Sequence, residues 1–75
     1  MNKMKPDVAT REIVGSKVRQ LRKLAGLTQE ETAGRCGIFR TYLSRVESGT
    51  ANPTISVLAE LAMCFDVDVR ELFRV

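Results

Sequence analysis

The apolar positions of the chain recur at helical spacing rather than alternating as they would in a strand. Val14, Val18 and Leu21 follow one another at intervals of four and three residues, which places them on one face of an α-helix. This first helix is predicted to begin near Thr10. Gly26 comes just after the periodic stretch, and a glycine there can end a helix in the left-handed conformation.

The stretch before Thr10 has a different character. Residues 1–9 carry no periodicity, and Pro6 lies within them. We therefore predict a flexible N-terminal tail over residues 1–9 and one folded domain over residues 10–75. A chain of 75 residues is close to the lower size limit for a domain that folds without a metal ion or disulfides.

A capping signal marks the start of the second helix. Thr28 and Glu31 have the spacing of a capping box, in which each side chain binds the backbone N–H of the other residue. The second helix is therefore predicted to start at about Gln29. It is short, because Gly37 ends it after about two turns.

Three further helices are predicted. The third runs from about Phe39 or Arg40 to Glu47, and Thr54 caps the fourth. The apolar positions of the fourth helix are expected to face the core: Ile55, Val57, Leu58, Leu61, Ala62 and Phe65. Asp66 or Asp68 caps a short final helix. The chain is therefore predicted to be all-α, with five helices in one compact domain.

The second and third helices have the features of a helix-turn-helix. Ala33 is small enough to lie under a close helix crossing, and Gly37 tolerates the positive φ that the turn requires. Ile38 can attach the turn to the core. Leu43 and Val46 give the third helix an apolar inner side.

The other side of the third helix is polar and basic. At about 100° per residue, four side chains point away from the apolar side or lie at its flank: Arg40, Thr41, Ser44 and Arg45. Such a helix fits the major groove of DNA, where arginine can pair with N7 and O6 of guanine and hydroxyls can reach bases or phosphates. We predict that these four side chains bind DNA bases. For the third helix alone, a face that contacts only water is the competing interpretation, and the surrounding helix-turn-helix features favour DNA.

The charge distribution is compatible with a polyanionic partner. Residues 1–45 carry ten Lys or Arg against four Asp or Glu, whereas residues 46–75 carry two against five. A basic half that faces DNA and a basic first helix that faces only water explain this asymmetry equally well.

The composition argues against several other classes of protein. There is no histidine and no nucleophile beside a base, so we expect neither an enzyme nor a metal site nor a cofactor. No apolar run approaches the ~20 residues that a membrane span needs, and we expect a cytoplasmic protein. Cys36 and Cys64 are expected to be reduced thiols in or near the core, with a disulfide or a redox role as the alternative.

Three motifs resemble a known family. LTQEE, the G-x-x-R-x-Y-L-S-R-V-E-x-G run and NPT resemble the Cro/cI-type helix-turn-helix domain of phage repressors and xenobiotic-response-element-like regulators. The resemblance covers residues 13–73, and the size is similar to that of restriction–modification controller proteins. It implies a lambda-repressor-like fold and a sequence-specific transcriptional regulator, either a repressor or an autoregulator. We expect no ligand-sensing domain, since the 75 residues leave no room for one beside the helix-turn-helix.

The resemblance also implies roles for further residues. It places four residues at the DNA backbone: Gln29, Thr50, Asn52 and Thr54. It implies a structural ion pair between Arg22 and Glu47. Phe39 departs from the family, which usually has a Ser or Asp cap there, and a missing cap typically costs ~1 kcal/mol. Phe39 is expected to compensate by packing or, as the alternative, by contacting a thymine methyl group.

A homodimer is expected because a single DNA-contacting helix covers too few base pairs. One helix covers only ~4–5 base pairs, so selectivity calls for two-fold symmetry and a palindromic operator. The C-terminal segment has more apolar residues than a short helix can bury, and these are the predicted interface: Phe65, Val67, Val69, Leu72, Phe73 and Val75. The alternative is that all six lie in the core.

A second function class remains open. The same fold could act as a protein-interaction module, such as an antitoxin or an antagonist, that uses the C-terminal apolar residues. In that case Arg40 and Arg45 would have no role. If the protein is instead a transcriptional activator, it also needs a contact with RNA polymerase.

Overall fold

A computed structural model describes residues 5–75, and these residues contain helices and no strand. Four α-helices and one 3₁₀ segment follow in order: α1 Pro6–Leu24, α2 Gln29–Cys36, α3 Arg40–Glu47, α4 Ile55–Cys64 and the 3₁₀ segment Val69–Phe73. The prediction of an all-α helix-turn-helix domain is confirmed. The number of α-helices is four rather than the predicted five.

The first helix begins earlier than predicted. α1 starts at Pro6, so the predicted flexible tail is wrong for residues 6–9, whereas residues 1–4 lie outside the described part of the chain. Proline is well suited to a first helical position, because its fixed φ matches the helix and its missing N–H has no partner there. Arg11 Nη1 lies 3.1 Å from Asp7 Oδ2 and adds an ion pair to the first turns.

The last element is a 3₁₀ segment of five residues rather than an α-helix. Asp68 caps it, since its Oδ1 accepts a hydrogen bond of 2.9 Å from the backbone N–H of Arg70. The Arg70 guanidinium also binds this carboxylate. Bonds from the Arg70 side chain and then its backbone lower the pKa of Asp68 to about 2. These local bonds stabilise a tight turn too short to continue as an α-helix.

The predicted boundaries of α2 are confirmed. Glu31 N–H donates to Thr28 Oγ1 at 3.0 Å, and Thr28 N–H donates to Glu31 Oε1 at 2.9 Å, which completes the capping box. The bond from the Thr28 backbone is the main cause that lowers the pKa of Glu31. Gly37 ends the helix with φ of 70°. The turn then continues into Ile38, whose N–H donates to the Ala33 carbonyl.

The core lies between the four α-helices and the 3₁₀ segment. Its buried apolar side chains come from every element: Val14, Val18, Ala33, Cys36, Leu43, Val46, Ala51, Leu58, Leu61, Ala62 and Leu72. Ile55 was expected among them and is 84% exposed. It shares the outer side of α4 with Met63, two helical turns further on, while Leu58 and Leu61 occupy the inner side.

Gly15 brings α1 and α3 close together. A Cβ atom at Gly15 would lie 2.8 Å from the carbonyl oxygen of Glu47 and would also meet that of Val46. Any side chain at this position would therefore push the two helices apart. Glycine inside a helix costs roughly 0.5–1 kcal/mol relative to alanine, and the close approach explains its presence here.

Cys36 and Cys64 lie next to each other. Their sulfur atoms meet between α2 and α4, with Cα atoms 6.3 Å apart, and the expected location of both residues in or near the core is confirmed. The two residues are the last of α2 and the last of α4. They are far apart in sequence, and the packing of α2 against α4 brings them together.

Thr32 is a buried polar residue without a partner. Its side chain is fully buried, and its hydroxyl forms no hydrogen bond in the described part of the chain. A buried hydroxyl without a partner costs about 1–3 kcal/mol of desolvation. Valine has nearly the same shape and no polar atom.

We therefore expect Thr32→Val to raise the free energy of unfolding by about 1–2 kcal/mol. Urea denaturation followed by circular dichroism measures this. Thr41→Val is the matched control, because Thr41 is exposed and the same exchange should change stability little. A Thr32→Val protein less stable than the original chain would contradict this account of the core.

Candidate nucleic-acid interface

The polar side of α3 faces outward. Arg40, Thr41 and Arg45 are exposed, and Ser44 is half-buried. On the opposite side, Leu43 is completely buried and holds the helix onto the domain. The structure therefore brings the four predicted base-contacting residues to one face of one short helix.

The two arginines of this face are free of ion pairs. Within residues 5–75 the ion pairs involve Arg11, Arg22, Arg70 and Arg74. Arg40 and Arg45 belong to none of them. Their guanidinium groups can therefore donate hydrogen bonds to a ligand without first breaking a contact within the domain.

Arg22 and Glu47 form an ion pair between α1 and α3. Arg22 Nε donates to Glu47 Oε2 at 2.7 Å, and Arg22 Nη2 donates to Glu47 Oε1 at 3.0 Å. The third guanidinium nitrogen, Nη1, donates to the carbonyl of Leu27 at 2.9 Å. The side chains of Arg22 and Glu47 are only 11% and 3% exposed. The bond to Glu47 is the main cause that raises the pKa of Arg22, so the Arg22 guanidinium stays charged.

Gln29 extends this ion pair to α2. Its Nε2 donates to Glu47 Oε1 at 3.1 Å, so Glu47 receives bonds from both α1 and α2. A second hydrogen on Nε2 and the Gln29 backbone N–H remain outside these bonds, at the positive end of the α2 dipole. An open polar recess lies here, lined by Arg19, Arg22, Gln29, Ser44, Glu47 and Ser48.

The loop after α3 is held by one carbonyl group. The carbonyl oxygen of Arg45 accepts bonds from the N–H of Thr50 at 2.9 Å and of Ala51 at 3.1 Å. The hydroxyls of Ser48 and Thr50 also donate to it. Gly49 makes this geometry possible with φ of 78°. The loop is thereby fixed relative to α3.

This loop carries the other residues that the family resemblance places at the DNA backbone. Thr50, Asn52 and Thr54 are all exposed. Thr54 also caps α4, as predicted, by accepting a bond of 3.2 Å from the N–H of Val57. Its hydroxyl hydrogen remains available as a donor.

The predicted dimer residues do not share one environment. Leu72 is completely buried, so its assignment to a surface interface is wrong; the 3₁₀ turn directs this side chain into the core. Phe65 and Val67 are half-buried against the core. The remaining three are exposed and form what we call the C-terminal apolar patch: Val69, Phe73 and Val75.

Sequence reasoning missed two features of this region. Phe39 was expected to pack, but it is 82% exposed immediately before α3, so the packing prediction is wrong. Gly15 was not recognised as the contact between α1 and α3. The signal for it was a glycine inside a strongly periodic helix, directly beside Val14.

Comparison with known proteins agrees with this geometry. A helix-turn-helix family model matches residues 18–72, and the chain belongs to this family. Its members are DNA-binding transcriptional regulators and not enzymes, so the protein is a helix-turn-helix transcriptional regulator. In the described part of the chain, no helix is long and apolar enough to cross a membrane, and no cluster of side chains could hold a metal ion.

The individual relatives include an HTH-type transcriptional regulator and control proteins. The chain is 47% identical to an uncharacterised HTH-type transcriptional regulator, y4dJ, of Sinorhizobium fredii, over 83% of this chain and 80% of the relative. It is 33% identical to the control protein C.BamHI of Bacillus amyloliquefaciens, over 83% and 78%. The crystal structure of the restriction–modification controller C.AhdI from Aeromonas hydrophila superposes with a TM-score of 0.83 and 37% identity, over 87% of this chain and 98% of that one. These similarities confirm the family resemblance.

Proposed function

We propose that the protein is a cytoplasmic repressor or autoregulator that binds a palindromic operator as a homodimer, with α3 in the major groove. The main support is that two arginines on α3, Arg40 and Arg45, are exposed and form no ion pair within residues 5–75. The ion pair between Arg22 and Glu47 supports the same proposal, because it fixes the orientation of the helix that carries them. The controller proteins among its relatives regulate restriction–modification, and a related regulatory role is compatible with this chain.

Each of the four polar residues on the outer side of α3 has a role that follows from its chemistry. Arg40 and Arg45 pair with N7 and O6 of guanine, the commonest specific contact that arginine makes with DNA. Thr41 is exposed and reaches a base edge with its hydroxyl or methyl group. Ser44 is shorter and half-buried, so it contacts a base or a phosphate close to the helix.

Neutral groups make most of the backbone contacts in this proposal. The Gln29 amide and the first N–H groups of α2 bind one phosphate, as helix N-termini do. Asn52 and Thr54 bind phosphates on the other side of α3, and Thr50 joins them by turning its hydroxyl from the Arg45 carbonyl, to which it donates in the free domain, toward the DNA backbone. None of these groups is a cation, so few counterions are released and the affinity falls gently with salt.

The homodimer in this proposal uses the C-terminal apolar patch. Val69 is 40% exposed and Phe73 is 45% exposed, at the two ends of the 3₁₀ segment. Two copies of the patch can cover each other through a two-fold axis. The resulting pair of α3 helices would read two half-sites about one helical turn apart.

Selection of bound duplexes from a random library tests the proposed DNA reading. We expect the protein to enrich a palindrome, and Arg40→Ala to relax its preference at one symmetric pair of positions. Affinity for the selected operator should fall about 30-fold or more in Arg40→Ala, because the homodimer loses one bidentate base contact, worth about 1–3 kcal/mol, in each of its two half-sites. Arg70→Ala is the matched control, since Arg70 is an exposed arginine outside α3.

One result would contradict this proposal. If no sequence is enriched, and wild type and Arg40→Ala bind DNA weakly with the same salt dependence, α3 does not read DNA. The exposed C-terminal apolar patch would then favour the alternative, an antitoxin-like or antagonist module that binds another protein.

Sedimentation velocity tests the dimer. The wild-type protein should sediment with twice the 8.4 kDa mass of the chain, and Phe73→Glu should sediment as a monomer with unchanged helix content. A buried carboxylate without a partner is strongly unfavourable. Leu24→Glu is the control, because Leu24 is an exposed apolar residue at the end of α1. A dimer that persists in Phe73→Glu would exclude this patch as the interface.

A further inference from the structure

An exposed aromatic ring stands at the start of α3. Phe39 is 82% exposed, although a phenylalanine side chain gains free energy when it is removed from water. Its backbone begins the helix, because the Phe39 carbonyl accepts the N–H of Leu43 at 3.0 Å. The ring itself contributes little to the core.

Phe39 also occupies the N-cap position without performing the capping role. Its side chain accepts no hydrogen bond from the first turn of α3. Thr28, Thr54 and Asp68 all make such bonds at the starts of their own elements. Serine at position 39 would therefore suit the folded domain better, because it could cap the helix.

The location of Phe39 suggests what the ring contacts instead. It directly precedes Arg40, the first residue of the exposed face of α3. The N-terminal residues of a reading helix approach the base edges most closely. A phenyl ring has no hydrogen-bonding group, so at a base edge it can distinguish only shape and apolar surface. In the major groove, the apolar group that marks one base is the 5-methyl group of thymine.

We propose that Phe39 determines specificity by packing against the methyl group of one thymine in each half-site. This proposal rests on the proposed function, because it requires α3 to lie in the major groove. It adds thymine to the guanines read by Arg40 and Arg45. It also gives a reason for an aromatic residue at a position where a capping residue would stabilise the fold.

Replacement of thymine by deoxyuridine tests the proposal, since deoxyuridine lacks only the methyl group. Fluorescence anisotropy would measure the affinity of wild type, Phe39→Ala and Phe39→Ser for the selected operator, with each symmetric thymine pair replaced in turn. At one thymine pair, the replacement should weaken wild-type binding about five- to tenfold, as expected for losing a small apolar contact in each half-site. The same replacement should leave the affinity of both Phe39 variants unchanged.

Two controls distinguish thymine recognition by Phe39 from an effect of Phe39 on folding. Ile55→Ala removes another exposed apolar residue, 84% exposed at the start of α4, and should keep the wild-type response to deoxyuridine. Phe39→Ser should unfold at a higher temperature than wild type while it loses the methyl response. A structural role for Phe39 would instead lower the unfolding temperature of Phe39→Ser.

The outcomes distinguish this proposal from the function on which it rests. If wild type selects an operator but no deoxyuridine replacement depends on the residue at position 39, Phe39 does not read thymine and the proposed function stands. If wild type selects no sequence at all, both proposals are overturned.

Discussion

The rest of the structure depends on the hydrogen bonds that the Glu47 carboxylate accepts. It accepts two hydrogen bonds from Arg22 on α1 and one from Gln29 on α2, although Glu47 itself belongs to α3. A nearly buried carboxylate is stable only when it is paired and fully hydrogen-bonded. Its bonds therefore hold the three helices in one arrangement. Gly15 allows this arrangement, because it lets the α3 backbone approach α1 closely.

In this arrangement, one arginine stabilises the fold and two others remain available for a ligand. Arg22 is used inside the domain, whereas Arg40 and Arg45 extend from α3 without partners in the described part of the chain. The Arg45 carbonyl then fixes the following loop, which carries Thr50. An exposed, donor-rich surface on a rigid support is what recognition of base edges requires.

The sequence was sufficient for α2 and α3, where local rules decide the structure. The capping box at Thr28 and the left-handed Gly37 gave α2 its boundaries, and helical spacing identified the outer side of α3. Prediction from the sequence failed where packing between distant segments decides which residues are buried. The burial of Leu72 and the exposure of Ile55 depend on which side of an element meets the core, and both elements carry apolar residues on more than one side. The roles of the individual site residues remain proposals, since spacing shows which side chains share a face and not what they bind.

Denaturant unfolding of Arg22→Met, beside Arg70→Met, tests most directly whether the Glu47 bonds hold the domain together. Both arginines form ion pairs, but the side chain of Arg22 is 11% exposed and that of Arg70 is 86% exposed. Our account predicts that Arg22→Met lowers the free energy of unfolding by roughly 3 kcal/mol, because it leaves the Glu47 charge buried without its main partner. It predicts little change for Arg70→Met, because exposed ion pairs contribute little to stability. Equal, small effects of the two substitutions would contradict the central role of Glu47.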